Sequence, residues 1–355
     1  MSLAEKLKKV QLKQTETKDS SKPDITAKEY DENEIKIYQN KVLDINIEEW
    51  LDLIPEFTFK TKLFPLKYED AELFFQAYEL KMKENKELTE NIKNQIEKLA
   101  ENLQKVINEI KQDDPQVFVK SSSRSAKDTG PYQQKFIMEY QAKLKAKKLR
   151  DDNDKMISLL EAGYEMLKVK SAKELLMNWV FSERIYQDMF IAIKHKSRFK
   201  ENFVIRKWVD MDPDMEFRGF VSNGKLTALS QYNHLCFWPR LVQMKSYLEK
   251  IIVDYFYSNI QKKLESNFKN YIIDFCVVGE KLDQIWVIEL NPFLSTTDGC
   301  LFSWENEKSL IENGPFEFRI NSKIRSGGKS LMQTSWREIF EKYSNIDNEE
   351  DEKKK

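Results

Sequence analysis

The chain has 355 residues, 41% of them hydrophobic, so it is long enough to bury a sizeable core in one large domain or two modest ones. Its 58 basic and 59 acidic residues nearly cancel, which argues against a strong overall field toward nucleic acid, and no direct nucleic-acid partner is expected. No apolar run approaches the roughly 20 residues that span a bilayer, and the N-terminal segment lacks the apolar core of a secretion signal. We therefore expect a cytoplasmic protein without a membrane partner.

Cysteine and histidine are both scarce in the sequence. The three cysteines, Cys236, Cys276 and Cys300, have no CxxC spacing, which argues against a disulfide framework and against a zinc site. With only His195 and His234 available, a histidine-based metal centre or a His-dependent catalytic triad is not expected. The sequence therefore gives no support to these classes of protein.

The chain begins with a polar stretch and continues into an apolar one. Residues 1–40 are rich in Lys, Thr, Ser, Asp and Glu, so we expect a disordered tail. Trp50 is interpreted as a core anchor, with contact to a partner as the alternative. Residues 58–63 alternate and predict a strand, whose end is marked by Pro65. Apolar residues then recur every three or four positions over residues 88–110, which predicts a long amphipathic helix.

A predicted strand over residues 116–119 leads into Lys120 and a loop of small and cationic residues. This loop contains Ser121, Ser122, Ser123, Arg124, Ser125 and Lys127. A lysine followed by a hydroxyl-rich loop is a candidate phosphate clamp, because an ammonium group and loop amides both attract anions. The segment has neither the GxxxxGK spacing of a P-loop nor a GxGxxG turn, so a solvated surface loop is the alternative.

Two helical segments follow the loop. Residues 135–154 are strongly charged and are interpreted as a helical, exposed insertion. Residues 171–189 predict a single helix with a buried face. Ser171, with Glu174 three residues later, forms the capping-box pattern at the start of that helix.

The second half of the chain mixes strands and helices. Residues 203–209 predict a strand, which carries Arg206, Lys207 and Trp208. Segments 216–221 and 225–231 flank Asn223-Gly224, a turn pair that strongly favours a hairpin, and Arg218 lies inside this hairpin. Residues 240–264 then predict an amphipathic helix that packs on a sheet.

A second predicted hairpin carries a possible set of metal ligands. Residues 271–278 and 284–290 are rich in β-branched and aromatic residues, with turn residues between them. Asp274 interrupts the first strand, and Glu289 and Asn291 stand at the end of the second, on one face because their spacing is two. These oxygen ligands suit Mg²⁺, which is usually held by one or two carboxylates and substrate phosphates such as those of ATP. The alternative is a solvated strand face that ends in an ordinary Asn-Pro turn.

The order of these elements, with cations early and carboxylates late, resembles that of an ATP-grasp fold. Several segments resemble the cell division cycle protein 123 family, namely EEWLDLIPEFTFKTKLFPL, KSAKELLMNWVFSERIYQDM, FVIRKWVDMDPDMEFRGFVSNGKLTALSQ, YIIDF, WVIELNPF and LFSW. The resemblance covers most of residues 46–321. It implies an α+β protein with the ATP-grasp fold, in which two α+β lobes hold the nucleotide between antiparallel sheets.

The resemblance also implies a domain layout and a set of ligands. The lobes span residues 41–200 and 201–322, and a C-terminal segment with a charged tail covers residues 323–355. The implied nucleotide contacts are Lys120 with the phosphates, Arg218 with the β- or γ-phosphate, and Arg206, Lys207 and Trp208 on the adenine side. The implied ligands of Mg²⁺ are Asp274, Glu289 and Asn291.

The function implied by the resemblance is an ATP-binding assembly chaperone that binds the gamma subunit of eukaryotic translation initiation factor 2 and promotes formation of the heterotrimer. The chain departs from the family pattern at three places: Glu289 replaces an aspartate, Ser122-Ser123 replaces Asn-Trp, and Asn233 replaces an acid. These departures leave open a divergent paralogue with another partner.

Two other classes of protein stay open as alternatives. One is an ATP-grasp ligase or kinase that acts on a carboxylate or hydroxyl substrate, and the other is an interaction protein that has lost the nucleotide. The predicted cluster of acids is expected to be unpaired, and an unpaired acid cluster is costly to bury. We therefore expect removal of Asp274 or Glu289 to leave the fold largely intact.

Overall fold

The computed structural model describes residues 32–111, 116–147 and 151–344, which form two compact units. Unit 1 comprises Lys60–Lys143 and Glu161–Trp208. Unit 2 comprises residues 32–59, Leu144–Leu160 and residues 209–344. Each unit is therefore assembled from separate segments, whereas the lobes predicted from the sequence are continuous.

Both predicted tails fall largely outside the described residues. Residues 1–31 of the predicted N-terminal tail lie outside them. The prediction of disorder is wrong for residues 32–40, because these residues belong to the helix Glu32–Leu43. Residues 345–355 of the C-terminal tail also lie outside the described ranges. Within these ranges, no helix combines the length and the apolar character needed to cross a membrane.

Unit 1 is built from a small sheet and four helices assigned wholly to it. Its strands are β1 Thr61–Pro65, β2 Val117–Lys120, β3 Lys168–Val169 and β4 Asn202–Lys207, in the order β1-β4-β2-β3. The helices are Tyr68–Tyr78, Glu90–Lys111, Ala172–Trp179 and Glu183–Lys194. Neighbouring strands are antiparallel, which places register partners such as Lys120 and Val204 on the same face.

The core of unit 1 lies between this sheet and the helices. Phe203 of β4 is fully buried and stacks on Trp179, with 5.0 Å between the ring centroids. Helix Glu90–Lys111 confirms the predicted amphipathic helix, because Ile96, Leu103 and Ile107 of its apolar stripe are buried. Residues 203 and 205 of β4 are buried on the helix side, and residues 204 and 206 point to the opposite face.

The predicted single helix over residues 171–189 is wrong, because the chain turns near Ser182 and starts again. Ser171 accepts a hydrogen bond from the Glu174 amide, as the capping pattern predicts, and this first helix ends at Trp179. Ser182 then accepts from the Ile185 amide and caps helix Glu183–Lys194. A second N-cap residue of this kind satisfies orphan amides at the new helix start.

Residues 135–154 are helical where the structure describes them, except Asp151, as predicted, but the prediction that the segment is exposed is wrong. Residues 134–147 form the helix Gln134–Lys147, and both Phe136 and Tyr140 are completely buried. Gly130 lies close to the Phe136 ring, since a Cβ atom added at Gly130 would come within 3.3 Å of it. Helix Asp152–Glu165 follows after the three residues that are not described.

Unit 2 contains a five-stranded sheet. Its strands are β5 Glu216–Ser222, β6 Lys225–Gln231, β7 Tyr271–Val278, β8 Gln284–Pro292 and β9 Glu317–Arg319, in the order β8-β7-β5-β6-β9. Only the pairing of β9 with β6 is parallel among these. The predicted hairpin around Asn223-Gly224 is confirmed, and both residues have positive φ angles of 50° and 73°, as a tight two-residue turn requires.

The two faces of this sheet are covered differently. The α-helices that lie wholly in the unit are Glu32–Leu43, Ile47–Trp50, Pro239–Tyr255, Gln261–Leu264, Lys308–Asn313 and Thr334–Tyr343. Helix Pro239–Tyr255 packs on one face through Tyr255, whose ring centroid lies 6.3 Å from that of Phe275. On the other face, Phe220 and Ile272 form a buried cluster with Phe302 of the segment after β8. Trp50 is also buried, at 1% exposure, which agrees with its interpretation as a core anchor.

Candidate functional site

Polar side chains lie on the same face of the unit 2 sheet as Phe220 and Ile272, next to this buried apolar cluster. Arg218 of β5 lies opposite Asp274 of β7, and Asp274 lies opposite Glu289 of β8. Asn291 follows two residues after Glu289, and therefore projects from the same face. The structure thus brings Arg218 together with the three predicted metal ligands, Asp274, Glu289 and Asn291.

A buried ion pair organises this cluster. Arg218 Nε donates to Asp274 Oδ1 and Arg218 Nη2 donates to Asp274 Oδ2, each at 2.8 Å. Asn291 Nδ2 donates to Asp274 Oδ2 at 3.0 Å, and Arg218 Nη1 donates to the carbonyl oxygen of Asp298 at 3.0 Å. Arg218 is 4% exposed and Asp274 is completely buried. This two-pronged geometry is the strongest form of guanidinium–carboxylate contact.

The expectation that the acids form an unpaired cluster is therefore wrong for Asp274. The sequence shows both residues but not the register between β5 and β7, which sets a buried cation directly against the carboxylate. Burial acts to lower the pKa of Arg218, but the charge and hydrogen bonds of Asp274 outweigh it and raise that pKa well above its ordinary value. Arg218 thus remains charged and holds Asp274 in one orientation.

Two further residues belong to this cluster and were missed from the sequence. Tyr232 packs against the guanidinium of Arg218, with 4.8 Å between the Arg218 Cζ atom and the ring centroid. Burial raises the pKa of Tyr232 well above its ordinary value, and the next cause is the charge of Glu216. Glu216 precedes Arg218 by two positions on β5, so period-two alternation was the signal that places both on one face.

The side chains present fit a hard divalent cation. The charges of three carboxylates, Glu216, Asp274 and Glu289, all act on Tyr232 together with that of Arg218, so carboxylate oxygens converge on this face. Asn291 uses its Nδ2 group on Asp274, which leaves its carbonyl oxygen as the other polar atom of that side chain. Carboxylate and amide oxygens are the ligands that Mg²⁺ and Ca²⁺ prefer.

The candidate phosphate loop of unit 1 is pinned to a helix and is not a solvated surface loop. Asp188 of helix Glu183–Lys194 is 3% exposed and accepts hydrogen bonds from the hydroxyl groups of Ser121 and Ser123. Arg124 Nε donates to the other oxygen of Asp188 at 2.7 Å. A buried carboxylate with three donors fixes the shape of a loop, because each lost partner would leave charge unsatisfied.

The remaining predicted residues of unit 1 do not all share one side of the sheet. Lys120, at 2% exposure, lies opposite Val204, and therefore shares a face with Arg206, which is 1% exposed and donates to Thr61 Oγ1 at 3.1 Å. Lys207 is exposed and points to the opposite face. Trp208 is half-buried, and the ammonium group of Lys168 lies 5.2 Å from its ring centroid.

Comparison with known proteins assigns the chain to a family. The D123 family model matches residues 68–334. The chain belongs to the D123 family. This is the cell division cycle protein 123 family that the sequence motifs resemble.

Curated members of the D123 family match shorter stretches of the chain. The translation initiation factor eIF2 assembly protein of Xenopus laevis is 34% identical over 106 residues, which is 30% of each protein. The protein of the same name from Danio rerio is 28% identical over 177 residues, which is 44% of this chain and 50% of that protein. These matches therefore span half of the relatives' length or less.

A solved structure of the D123 family supports the fold. Cdc123 from Schizosaccharomyces pombe matches with a TM-score of 0.57 at 22% identity, covering 80% of this chain and 98% of that one. That protein has an ATP-grasp fold, and this α+β D123 chain shares it, as the sequence motifs predicted. Of the curated relatives and the solved structure, the structural match covers the largest share of the chain.

Proposed function

We propose that this D123 chain is an ATP-binding assembly factor for translation initiation factor eIF2 and that it contacts the gamma subunit. The observation that carries the proposal is the family match over residues 68–334, which encloses every predicted site residue from Lys120 to Asn291. Relatives in that family carry the name translation initiation factor eIF2 assembly protein. The oxygen-rich cluster of unit 2 supports a nucleotide bound with a metal.

In this proposal Asp274, Glu289 and Asn291 hold Mg²⁺, which neutralises the charge of the ATP phosphates. The support is the convergence of carboxylate and amide oxygens on this face and the fixed orientation that Arg218 gives to Asp274. Three N–H groups of Arg218 are committed to Asp274 and Asp298, so its main role is to position Asp274, and the remaining N–H groups are left for phosphate.

The nucleotide contacts of unit 1 are proposed separately. Lys120 binds phosphate, and Arg206, Lys207 and Trp208 contribute to the nucleotide site. Since Arg206 and Lys207 point to opposite faces of β4, we expect Lys207→Ala to weaken ATP binding less than Arg206→Ala does.

The test joins nucleotide binding to partner binding. Purified full-length wild type, Asp274→Asn and the control Asp283→Asn are titrated with Mg-ATP by calorimetry and with the purified gamma subunit by surface plasmon resonance. Asp283 lies in the exposed turn of the same hairpin, outside the proposed site. We expect wild type and the control to bind both ligands, and Asp274→Asn to lose Mg-ATP and to bind the gamma subunit more weakly.

Two results would contradict this function. If the wild type does not bind the gamma subunit in the presence of saturating Mg-ATP, the gamma subunit is not its partner. Normal gamma-subunit binding by Asp274→Asn after loss of Mg-ATP would remove the link between the site and assembly.

A turnover measurement separates an assembly factor from a ligase or kinase. An assembly factor needs ATP only as a bound ligand, so we expect negligible release of ADP or AMP by wild type, with or without the gamma subunit. Steady turnover at about one per second or faster lies in the ordinary enzyme range and would support catalysis instead.

A further inference from the structure

Three side chains with different metal-binding atoms meet beside the candidate site. His234 lies in the loop after β6, and Asp298 and Cys300 lie in the loop after β8. One ligand atom from each of the three residues lies within 4.8 Å of the other two. All three belong to unit 2, and two loops that are far apart in sequence supply them.

We propose that His234, Asp298 and Cys300 form a binding site for a divalent transition metal of the zinc class. Nitrogen, oxygen and thiolate sulfur form a mixed ligand set that zinc accepts and that Mg²⁺ does not prefer. Ligand atoms around a tetrahedral zinc are about 3.3–3.8 Å apart, given bond lengths of roughly 2.0–2.3 Å, so the group has to contract by no more than about 1.5 Å. Three protein ligands leave a fourth position for water.

The backbone holds two of the ligands in place. His234 Nδ1 lies 3.2 Å from the carbonyl oxygen of Tyr232, and a hydrogen bond donated there by Nδ1 would leave Nε2 as the nitrogen that binds the metal. Metal-binding histidines generally donate their second nitrogen in this way. Cys300 has a positive φ of 55°, and its amide donates to Asp298 Oδ1 at 2.8 Å. Such backbone strain in a non-glycine residue persists only where its surroundings impose it.

The electrostatic setting also suits a cation. Burial lowers the pKa of His234, so its imidazole is neutral near pH 7, which is the form that binds metals. Burial raises the pKa of Cys300 well above its ordinary value; Asp298, Asp274 and Glu216 raise it further, and Arg218 opposes them. Arg325 adds a second cation near His234. The carboxylates thus favour a cation at the thiol, while Arg218 and Arg325 oppose one at the imidazole.

Binding of the metal has a defined proton balance. The Cys300 thiol loses its proton to solvent as the sulfur–metal bond forms, so each metal ion bound releases one proton. No electron is transferred. The site is chemically distinct from the oxygen cluster, although the Asp298 carbonyl accepts a hydrogen bond from Arg218.

Cobalt(II) is the probe for this site, because it replaces zinc and absorbs light when a thiolate binds it. The full-length protein, freed of metal with a chelator, is titrated with CoCl₂ while the near-ultraviolet thiolate band and the release of protons are recorded. We expect wild type to show the band, to release one proton per cobalt, and to keep the metal in excess Mg²⁺.

Two variants and two controls locate the ligands. Cys300→Ser should abolish the thiolate band. His234→Gln should weaken cobalt binding by about 100-fold, because loss of a hydrogen-bond partner of a ligand already weakens metal binding by about 10–100-fold and loss of the ligand itself should cost at least as much. Cys236→Ala and His195→Gln remove the same residue types elsewhere and should match wild type. Circular dichroism establishes that each protein is folded, and Asp298→Asn replaces any ligand variant that is not.

Each remaining outcome overturns the proposal. These outcomes are absence of a thiolate band in wild type, a band that survives Cys300→Ser, or a band that disappears with Cys236→Ala. Cobalt binding that excess Mg²⁺ displaces would assign the metal to the oxygen cluster. None of these results depends on ATP or on the gamma subunit.

Discussion

Removing the charge of Arg218 tests whether the buried ion pair organises the second face of unit 2. Arg218→Met keeps much of the side-chain volume but removes the cation and two hydrogen-bond donors from the fully buried carboxylate of Asp274. Breaking a buried pair from one side costs about 3–5 kcal/mol, because the partner's charge stays buried without compensation. We expect a loss of stability of that size.

The measurement is urea unfolding of the full-length protein, followed by tryptophan fluorescence and by circular dichroism. Lys250→Met is the matched control, since Lys250 pairs with Asp254 at 2.6 Å while both side chains are exposed. An exposed pair four residues apart in a helix contributes only about 0.3–0.5 kcal/mol. The double variant Arg218→Met/Asp274→Leu removes both charges and should recover most of the loss.

If Arg218→Met lowers the free energy of unfolding by less than about 1 kcal/mol, which is the range of exposed ion pairs, this account is refuted. A double variant that is as unstable as the single one would also count against it, because packing and not charge would then be the cause. Binding of Mg-ATP by wild type and by Arg218→Met gives a third comparison. If Asp274 is a metal ligand, Arg218→Met should also weaken Mg-ATP binding, because the carboxylate loses its fixed orientation.

The remaining predictions concern the nucleotide and the loop of unit 1. Saturating Mg-ATP should raise the melting temperature, whereas ATP with excess chelator should raise it much less because the acids repel the triphosphate; equal shifts would contradict a metal-dependent site. Asp188→Ala should release Ser121, Ser123 and Arg124 and expose the loop to limited proteolysis, and unchanged cleavage would refute its pinning by Asp188. Ser182→Ala should destabilise the protein by about 0.5–2 kcal/mol in urea unfolding through loss of the N-cap, whereas no change would show that the cap is dispensable.

Local features of the fold follow from the sequence because neighbouring residues determine them. Asn223-Gly224 adopts the positive φ angles of a tight hairpin, and these residue types tolerate such angles. The apolar stripe of helix Glu90–Lys111 repeats at helical spacing and is buried as expected. The family motifs added the ATP-grasp fold, which composition and spacing alone do not determine.

Long-range pairings could not be predicted from the sequence, because strand register and side-chain partners depend on the assembled core. Arg218 and Asp274 are 56 residues apart, and their pairing changes the expected cost of removing either one. Arg124 and Asp188 are 64 residues apart, so the sequence of the basic loop did not indicate that Asp188 is its hydrogen-bond partner. Phe136 and Tyr140 lie four positions apart among many charged residues, and the overall polarity of the segment masked one buried face.

Thr58 forms an isolated β-bridge with Val287 of β8, and this long-range contact has a consequence for how the protein is made. Thr58 Oγ1 donates to the Val287 carbonyl at 2.6 Å across a separation of 229 residues, and Phe57 packs edge-on against Tyr255. At about 5–20 residues per second, a ribosome takes roughly 10–50 s to travel that far. During this interval residues 32–59 have left the ribosome without their partner strand, while much of unit 1 is being synthesised. Thr58 therefore cannot form this contact until β8, in the last third of the chain, has been synthesised.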